Sequence, residues 1–333
     1  MTAPLVTVLI PARNERSDIG ACLEALAAQD LPLSRIEVLV VDGASADGTA
    51  DEARAVLSGS GFARAEVLSN PEATTPSNLN LGLAHARGEF LCRVDARSVV
   101  PRDYVRRCVE ILEARADVAV VGGAQVPEVA EDAPLVARGI ARALRNPLAS
   151  GLARYRRGAS SGPSDTVYLG SFRTDELRAA GGWDIRFGSN QDYELNQRLR
   201  RSGLVWFEAG LSVAYRPRTS LAELAQQFRR FGRWKAAGWL EAGVPVSGRQ
   251  LVLLAGPPLA GAAGIAALRR HPLLTMVGAF LGLVAVDSRG GSASSSERAA
   301  SMVAIPIVGG CWWLGIAEQA LRFVAGQRLL GPK

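Results

Sequence analysis

The chain has four cysteines in 333 residues, Cys22, Cys92, Cys108 and Cys311, and no two of them form a CxxC pair. That spacing excludes a zinc ribbon and a disulfide framework, and it fits reduced thiols. Lysine is nearly absent, so the net charge of +6 is carried by arginine. No GxGxxG follows the first strand, which excludes the dinucleotide fingerprint. No basic stretch followed by an apolar one opens the chain. Its absence argues against a cleaved signal peptide and predicts a first domain on the cytosolic side. Aromatic and basic residues are not interleaved as in RNA-binding modules, so no nucleic acid partner is expected. The arginine-rich balance suits anionic lipid or sugar diphosphates better.

Strand and helix patterns alternate from residue 5 to about 121. Strands are predicted at Leu5–Ile10, Ile36–Val41, Ala65–Leu68, Glu89–Val94 and Val118–Val121, with helical periodicity at Ser17–Gln29, Ala46–Leu57, Ser77–Ala86 and Arg102–Glu113. This alternation predicts an α/β fold, a mixed and mainly parallel sheet flanked by helices. Between residues 122 and 170 the pattern weakens. Arg138, Arg142 and Arg145 share one helical face there, and the segment Gly158–Ser164 has turn chemistry suited to a surface loop or to a loop that closes over substrate. A strand in TVYLGSF, helices at Asp175–Ala180 and Gln191–Ser202, and an amphipathic helix over 221–240 follow.

After Leu251 the composition turns apolar. Leu251–Leu268, Leu273–Val286 and Ala299–Ala317 carry no charge over 18, 14 and 19 residues. A spanning helix needs about 20 mostly apolar residues. The expected division is a catalytic domain over 1–220, an amphipathic interfacial helix and linker over 221–250, and two or three transmembrane helices with a basic tail over 251–333. Buried core helices are the competing explanation of these runs.

Two apolar, β-branched runs stop abruptly in polar residues. VTVLIPARNE ends in Pro11, Arg13 and Glu15, and IEVLVVDGAS ends in Asp42. Ligands of open parallel sheets lie beyond the carboxyl ends of the strands, so these ends predict a nucleotide pocket. Farther on stand Asn80, the run FLCRVDARS with Asp95 and Arg97, the segment GGWDIRFGSNQDYE with Asp192, and QQFRRFGRWK with Gln227, Arg230 and Trp234. Each has an ordinary structural explanation as well. Asp42 suits a turn, Asn80 a structural amide, Asp192 a helix start favoured by the dipole, and QQFRRFGRWK an interfacial helix anchored by Trp234 and Trp239.

In this order along residues 5–235, the motifs resemble family 2 glycosyltransferases of the GT-A fold, and among them the membrane-attached, succinoglycan-type ExoA enzymes. The resemblance implies an inverting transfer of a sugar from a nucleoside diphosphate donor, by family tendency a UDP-sugar, to a lipid-linked or polysaccharide acceptor in exopolysaccharide or envelope glycan synthesis. It implies that Pro11, Arg13, Glu15, Asp42 and Asn80 bind the donor, with Asp42 on the base. Asp95 stands at the first acid of the DxD motif and would bind the donor through Mg2+ or Mn2+ on the diphosphate. Asp192 would be the general base, with Glu194 the fallback. Gln227, Arg230 and Trp234 would meet acceptor or diphosphate near membrane lipids. The implied location is a multi-pass protein of the cytoplasmic membrane with a cytosolic catalytic domain.

The chain departs from the pattern at Gly43, Arg97, Gln191 and Phe231. Arginine cannot ligate a metal, so either Asp95 holds the ion with fewer protein ligands or Arg97 helps to neutralise the diphosphate. Two alternatives stay open: a polyprenyl-phosphate sugar synthase, and a catalytically silent scaffold that binds nucleotide-sugar.

Overall fold

The computed structural model describes residues 3–146, 151, 153–157, 160–271 and 293–331. Two units divide the chain: Met1–Val126 with Gly158–Arg216, and Pro127–Arg157 with Pro217–Pro332.

The first unit is built on β1 (Val6–Ala12), β2 (Ile36–Asp42), β3 (Arg64–Ser69) and β4 (Phe90–Arg93). Nearly every residue of β1 and β2 is buried, as expected of central strands covered on both faces. They pair in parallel with Ala12 opposite Asp42, so both polar ends open at one level of the sheet. Helices α1 (Arg16–Ala27), α2 (Thr49–Leu57) and α3 (Thr75–His85) make the crossovers. Thr74 and Ser77 start α3 with a capping box.

The order β3-β2-β1-β4 reverses direction between β1 and β4. That is the topological switch point, where a crevice forms beyond the strand ends. The sheet continues as an antiparallel half, through β5 (Ser98–Val99), β6 (Val118–Pro127), β7 (Gly162–Pro163), β8 (Tyr168–Arg173) and β9 (Leu204–Tyr215). β8 runs antiparallel to both β4 and β6. The sheet is therefore mixed but not mainly parallel, because β9 and the short strands beside it add a second half that the sequence pattern does not announce. α4 (Tyr104–Ala114) buries Tyr104, Val105, Cys108, Val109 and Leu112 in the core of this unit, which also holds α7 (Thr174–Ala179) and α8 (Gln191–Leu199).

The second unit is helical: α5 (Leu135–Arg145), α6 (Arg154–Arg157), α9 (Leu221–Glu241), α10 (Gly248–Arg270) and a long helix, Ser295–Val324. Ile140, Ala143 and Leu144 of α5 pack with Leu224 and Phe228 of α9 and with Ala304, Ile305 and Val308 of the long helix.

This arrangement corrects the expected localisation. Among the described residues one helix, Ser295–Val324, is long and apolar enough to cross a membrane, and a third of its most apolar window is buried inside the protein. A multi-pass cytoplasmic-membrane topology is not what these residues form. Composition alone cannot separate a lipid-facing surface from a face packed on other helices, and the inner face of this helix is packed. The apolar run Leu273–Val286 lies outside the described residues, as do Gly158 and Ala159 of the small-residue segment.

Candidate active site

The switch-point crevice collects the polar strand ends. Beyond β1, Arg13 donates from Nη1 to the Ala73 carbonyl at 2.8 Å. Asn14 adopts a positive φ of 54° and ties this end to the loop after β2. Its backbone N–H reaches Ser45 Oγ at 2.8 Å and its Oδ1 accepts from the Ala46 N–H at 3.0 Å. Pro11 is half-buried just before this turn. Glu15 accepts at Oε2 from Arg97 Nε at 2.7 Å. Arg97 thus brings its charge to the end of β1 rather than to a metal.

Asp42 closes β2 and is 6% exposed. Its Oδ2 accepts from the Ser45 N–H at 3.1 Å, whereas its Oδ1 is buried with no hydrogen-bond partner among the described residues. Buried polar atoms are nearly always paired, and an orphan in a crevice points to a group that arrives with a ligand. A ring N–H of a nucleobase has the right polarity.

Asn80 lies on α3. Its Nδ2 donates to the Trp183 carbonyl at 2.7 Å and its Oδ1 accepts from the Trp183 N–H at 2.9 Å. The amide clamps the turn Gly181-Gly182-Trp183 onto α3.

The centre of the crevice is an arginine that the sequence reading passed over. Arg93 ends β4, and its side chain is 7% exposed. Its Nε donates to Asp95 Oδ1 at 2.8 Å, and its Nη1 donates to Asp192 Oδ1. Asp192 sits in the first turn of α8 (Gln191–Leu199), where the helix dipole favours an acid. The Trp183 indole N–H also donates to Asp192 Oδ1, at 3.0 Å. Burial works against the charge of Arg93, but Asp192 and Asp95 outweigh it and hold the guanidinium above its ordinary pKa. The signal was in the sequence: residues two apart on a strand share a face, so a cation in an apolar strand had to meet Asp95 or face the core.

Tyr168, on β8, is the other residue missed. Its hydroxyl shares a 2.7 Å hydrogen bond with Ser98. Burial, and then the nearby charge of Asp95, push the phenol well above its usual pKa, so it stays neutral. Glu194, the fallback base, is held by Arg198 at 2.5 and 2.8 Å. Gln227, Arg230 and Trp234 all lie on α9 of the second unit, with Arg230 exposed and Gln227 and Trp234 half-buried.

Among the described residues no three His, Cys, Asp or Glu side chains gather as a metal cage. Mg2+-like ions are commonly bound by one or two carboxylates together with substrate phosphates. Asp95, 33% exposed beside the crevice, fits that smaller role.

Residues 7–164 match the family model described as Glycosyl transferase family 2. The chain is 31% identical over 264 residues to the succinoglycan biosynthesis protein ExoA of Rhizobium meliloti (strain 1021), covering 78% of each protein. It is 25% identical over 236 residues to a dolichyl N-acetyl-alpha-D-glucosaminyl phosphate 3-beta-D-2,3-diacetamido-2,3-dideoxy-beta-D-glucuronosyltransferase of Methanococcus voltae, covering 69% of this chain and 72% of that one. Among solved structures, the fold is similar to mannosyltransferase PcManGT from Pyrobaculum calidifontis, a protein captured with GDP-Man and Mn2+. The TM-score is 0.62 at 20% identity, over 96% of this chain and 88% of that one.

Proposed function

The chain belongs to glycosyltransferase family 2 and transfers sugar from a nucleotide-sugar donor, and from that premise we propose an inverting enzyme with a lipid-linked glycan as acceptor. The observation that carries this reading is the convergence of Asp95 and Asp192 on a single guanidinium, the buried one of Arg93. It supports a donor-side carboxylate and an acceptor-side carboxylate held a short way apart.

In this reading Asp42 Oδ1 accepts a ring N–H of the base, taken as uracil by family tendency. Pro11, Arg13 and Glu15 line the donor side, and Arg97, paired with Glu15, adds positive charge near the diphosphate. Asp95 holds the divalent ion, Mg2+ or Mn2+, whose chemistry when bound is to neutralise charge on the departing diphosphate. Asp192 takes the proton of the acceptor hydroxyl as that oxygen bonds to the anomeric carbon and the carbon–phosphate-oxygen bond breaks on the opposite face. General-base assistance of this kind contributes roughly 10²–10⁴-fold. Its Oδ1 is already engaged by two N–H donors, which leaves Oδ2 for the proton. The lipid-linked acceptor draws support from the Methanococcus voltae relative, whose name places its transfer on a dolichyl phosphate-linked sugar. Gln227 and Arg230 keep their proposed contact with acceptor or diphosphate on spacing alone, that of a Gln-x-x-Arg-Trp element with Phe231 in the tryptophan's place, and Trp234 keeps its own as the tryptophan one turn farther along α9.

The test is nucleoside diphosphate release from UDP-glucose, UDP-galactose, UDP-N-acetylglucosamine and GDP-mannose by the full chain in lipid. Extracted polyprenyl-linked acceptor is supplied, with and without Mn2+ or Mg2+. Release that needs both metal and acceptor, and that is lost in Asp192→Asn, is the expected result. Unchanged turnover in Asp192→Asn would favour a polyprenyl-phosphate sugar synthase, whose phosphate acceptor needs little base assistance. Binding without turnover across the panel would favour the silent scaffold.

A further inference from the structure

Arg93 lies beneath two carboxylates that face outward. The guanidinium is 7% exposed, while Asp95 and Asp192 are 33% and 42% exposed. For stability alone this is a poor use of a buried cation, because an ion pair taken out of water is often no better than apolar residues of the same volume. What the arginine adds is geometry. Its planar fork offers Nε to one acid and Nη1 to the other in a fixed relation that a lysine ammonium cannot reproduce. Asp95 is two residues from Arg93, whereas Asp192 is 99 residues away on a different element. One side chain therefore sets the position of an acid on α8 against an acid at the end of β4.

Asp192 is held a second time. Trp183, 1% exposed, packs edge-on against Phe172 with ring centroids 5.9 Å apart, and its backbone is clamped by Asn80. Its indole N–H reaches the same oxygen that Arg93 takes. Both donors meet Oδ1, and among the described residues Oδ2 has no partner. A carboxylate gripped by one oxygen from below presents the other at a set angle.

We propose that Arg93 is a positioning residue of the transfer reaction: it aims Asp192 with one oxygen free and fixes its distance from Asp95, so that the proton acceptor and the diphosphate-side acid work as one unit. The proposal rests on the reading of Asp192 as the base.

The experiment compares Arg93→Lys, Arg93→Gln, Asp192→Asn and the double variant Arg93→Lys/Asp192→Asn in the full chain. It measures kcat and donor KM with whichever donor of the panel is turned over. Melting temperature and UDP or GDP binding report folding. Arg93→Lys, which keeps the charge and is the variant most apt to fold, is expected to lose about 10- to 100-fold in kcat with donor KM within about threefold, part of the general-base contribution. Arg93→Gln should fall to the level of Asp192→Asn. The double variant should be no worse than Asp192→Asn, since groups acting as a unit are not additive. A scaffolding role would instead multiply the two losses, and that result overturns the proposal, as does an Arg93→Lys variant that changes only KM or nothing. Full turnover by Asp192→Asn is a separate failure, of the base assignment itself.

Discussion

Asn78 fills the space that a side chain at position 43 would need: its Nδ2 lies 2.7 Å from where a Cβ on Gly43 would stand. Asn78 cannot easily yield. It is buried, accepts from Asn70 Nδ2 at 2.9 Å, and donates to the Val41 carbonyl at 3.2 Å. The resemblance implies a second acid at this position, and here an amide from α3 reaches across the space instead. Gly43→Asp is expected to weaken the protein rather than restore a better donor site. Overpacking of this kind costs about 1–3 kcal/mol. A lower urea midpoint together with poorer UDP binding is the expected outcome, and tighter UDP binding would show that the crevice has room for the second acid.

The orphaned oxygen of Asp42 makes a prediction of opposite sign for stability and binding. Asp42→Asn removes a buried charge whose Oδ1 has no partner, and its side-chain carbonyl can still accept from the Ser45 N–H. The free protein should therefore be as stable as the parent or slightly more so. Nucleotide affinity should fall, because hydrogen bonds to charged groups are worth about 1.5–3 kcal/mol. That corresponds to about 10- to 150-fold in Kd. Calorimetric titration with UDP and with GDP, beside thermal melting, checks both halves. A variant that loses stability and binds normally would leave Asp42 as a turn residue only.

Gly182 turns at a φ of +64°, and a Cβ there would come within 2.5 Å of Asn80 Oδ1. The turn it shapes delivers Trp183 to Asp192. Gly182→Ala is thus expected to destabilise by about 1–3 kcal/mol, the range for strained backbone of this kind. It should also lower turnover more than donor binding. Asn80→Ala loosens the same turn, so the two changes should combine to less than their sum. Urea midpoints of the single and double variants settle this, and strict additivity would mean that the clamp and the turn are unconnected.

Strands β1 and β2 were legible because their signal is local. β1 and β2 are unbroken apolar runs that stop at Pro11 and Asp42, and each pattern lies within a dozen residues. β9 was not legible. Its burial alternates only in part, and Glu208 and Gly210 interrupt it, so nothing in Leu204–Tyr215 marks a long strand. Asp95 and Asp192 stood out as acids in recognisable settings. Arg93 did not, because its meaning depends on a partner 99 residues away. The apolar tail misled for a different reason. Hydropathy counts residues and not the face they turn, so the run within Ser295–Val324 registers equally as a crossing and as packing for Ile140 and Phe228.

Asp184, next to Trp183, ties the stability of this turn to pH. Burial pushes its carboxyl pKa up, but the Arg186 side chain and backbone N–H outweigh burial and hold it below the usual carboxylate range. Arg186 Nε donates to both carboxylate oxygens at 2.9 and 3.1 Å, Nη2 to Oδ2 at 2.5 Å, and the backbone N–H to Oδ1 at 3.0 Å. A carboxyl whose folded pKa is depressed contributes stability that is present above its unfolded value, near 3.9, and lost as pH falls through the folded value. The Arg186 guanidinium stays charged throughout, so only the aspartate can titrate away. Asp184→Asn should therefore be less stable than the parent at pH 7 and at pH 5, by about 1–3 kcal/mol for loss of hydrogen bonds to an ionised group. The gap should narrow below about pH 4 and close at lower pH, where the parent's own carboxyl is protonated. Urea midpoints at several pH values measure it. A gap of constant size down to pH 2.5 would mean that shape, and not charge, holds this turn against Trp183.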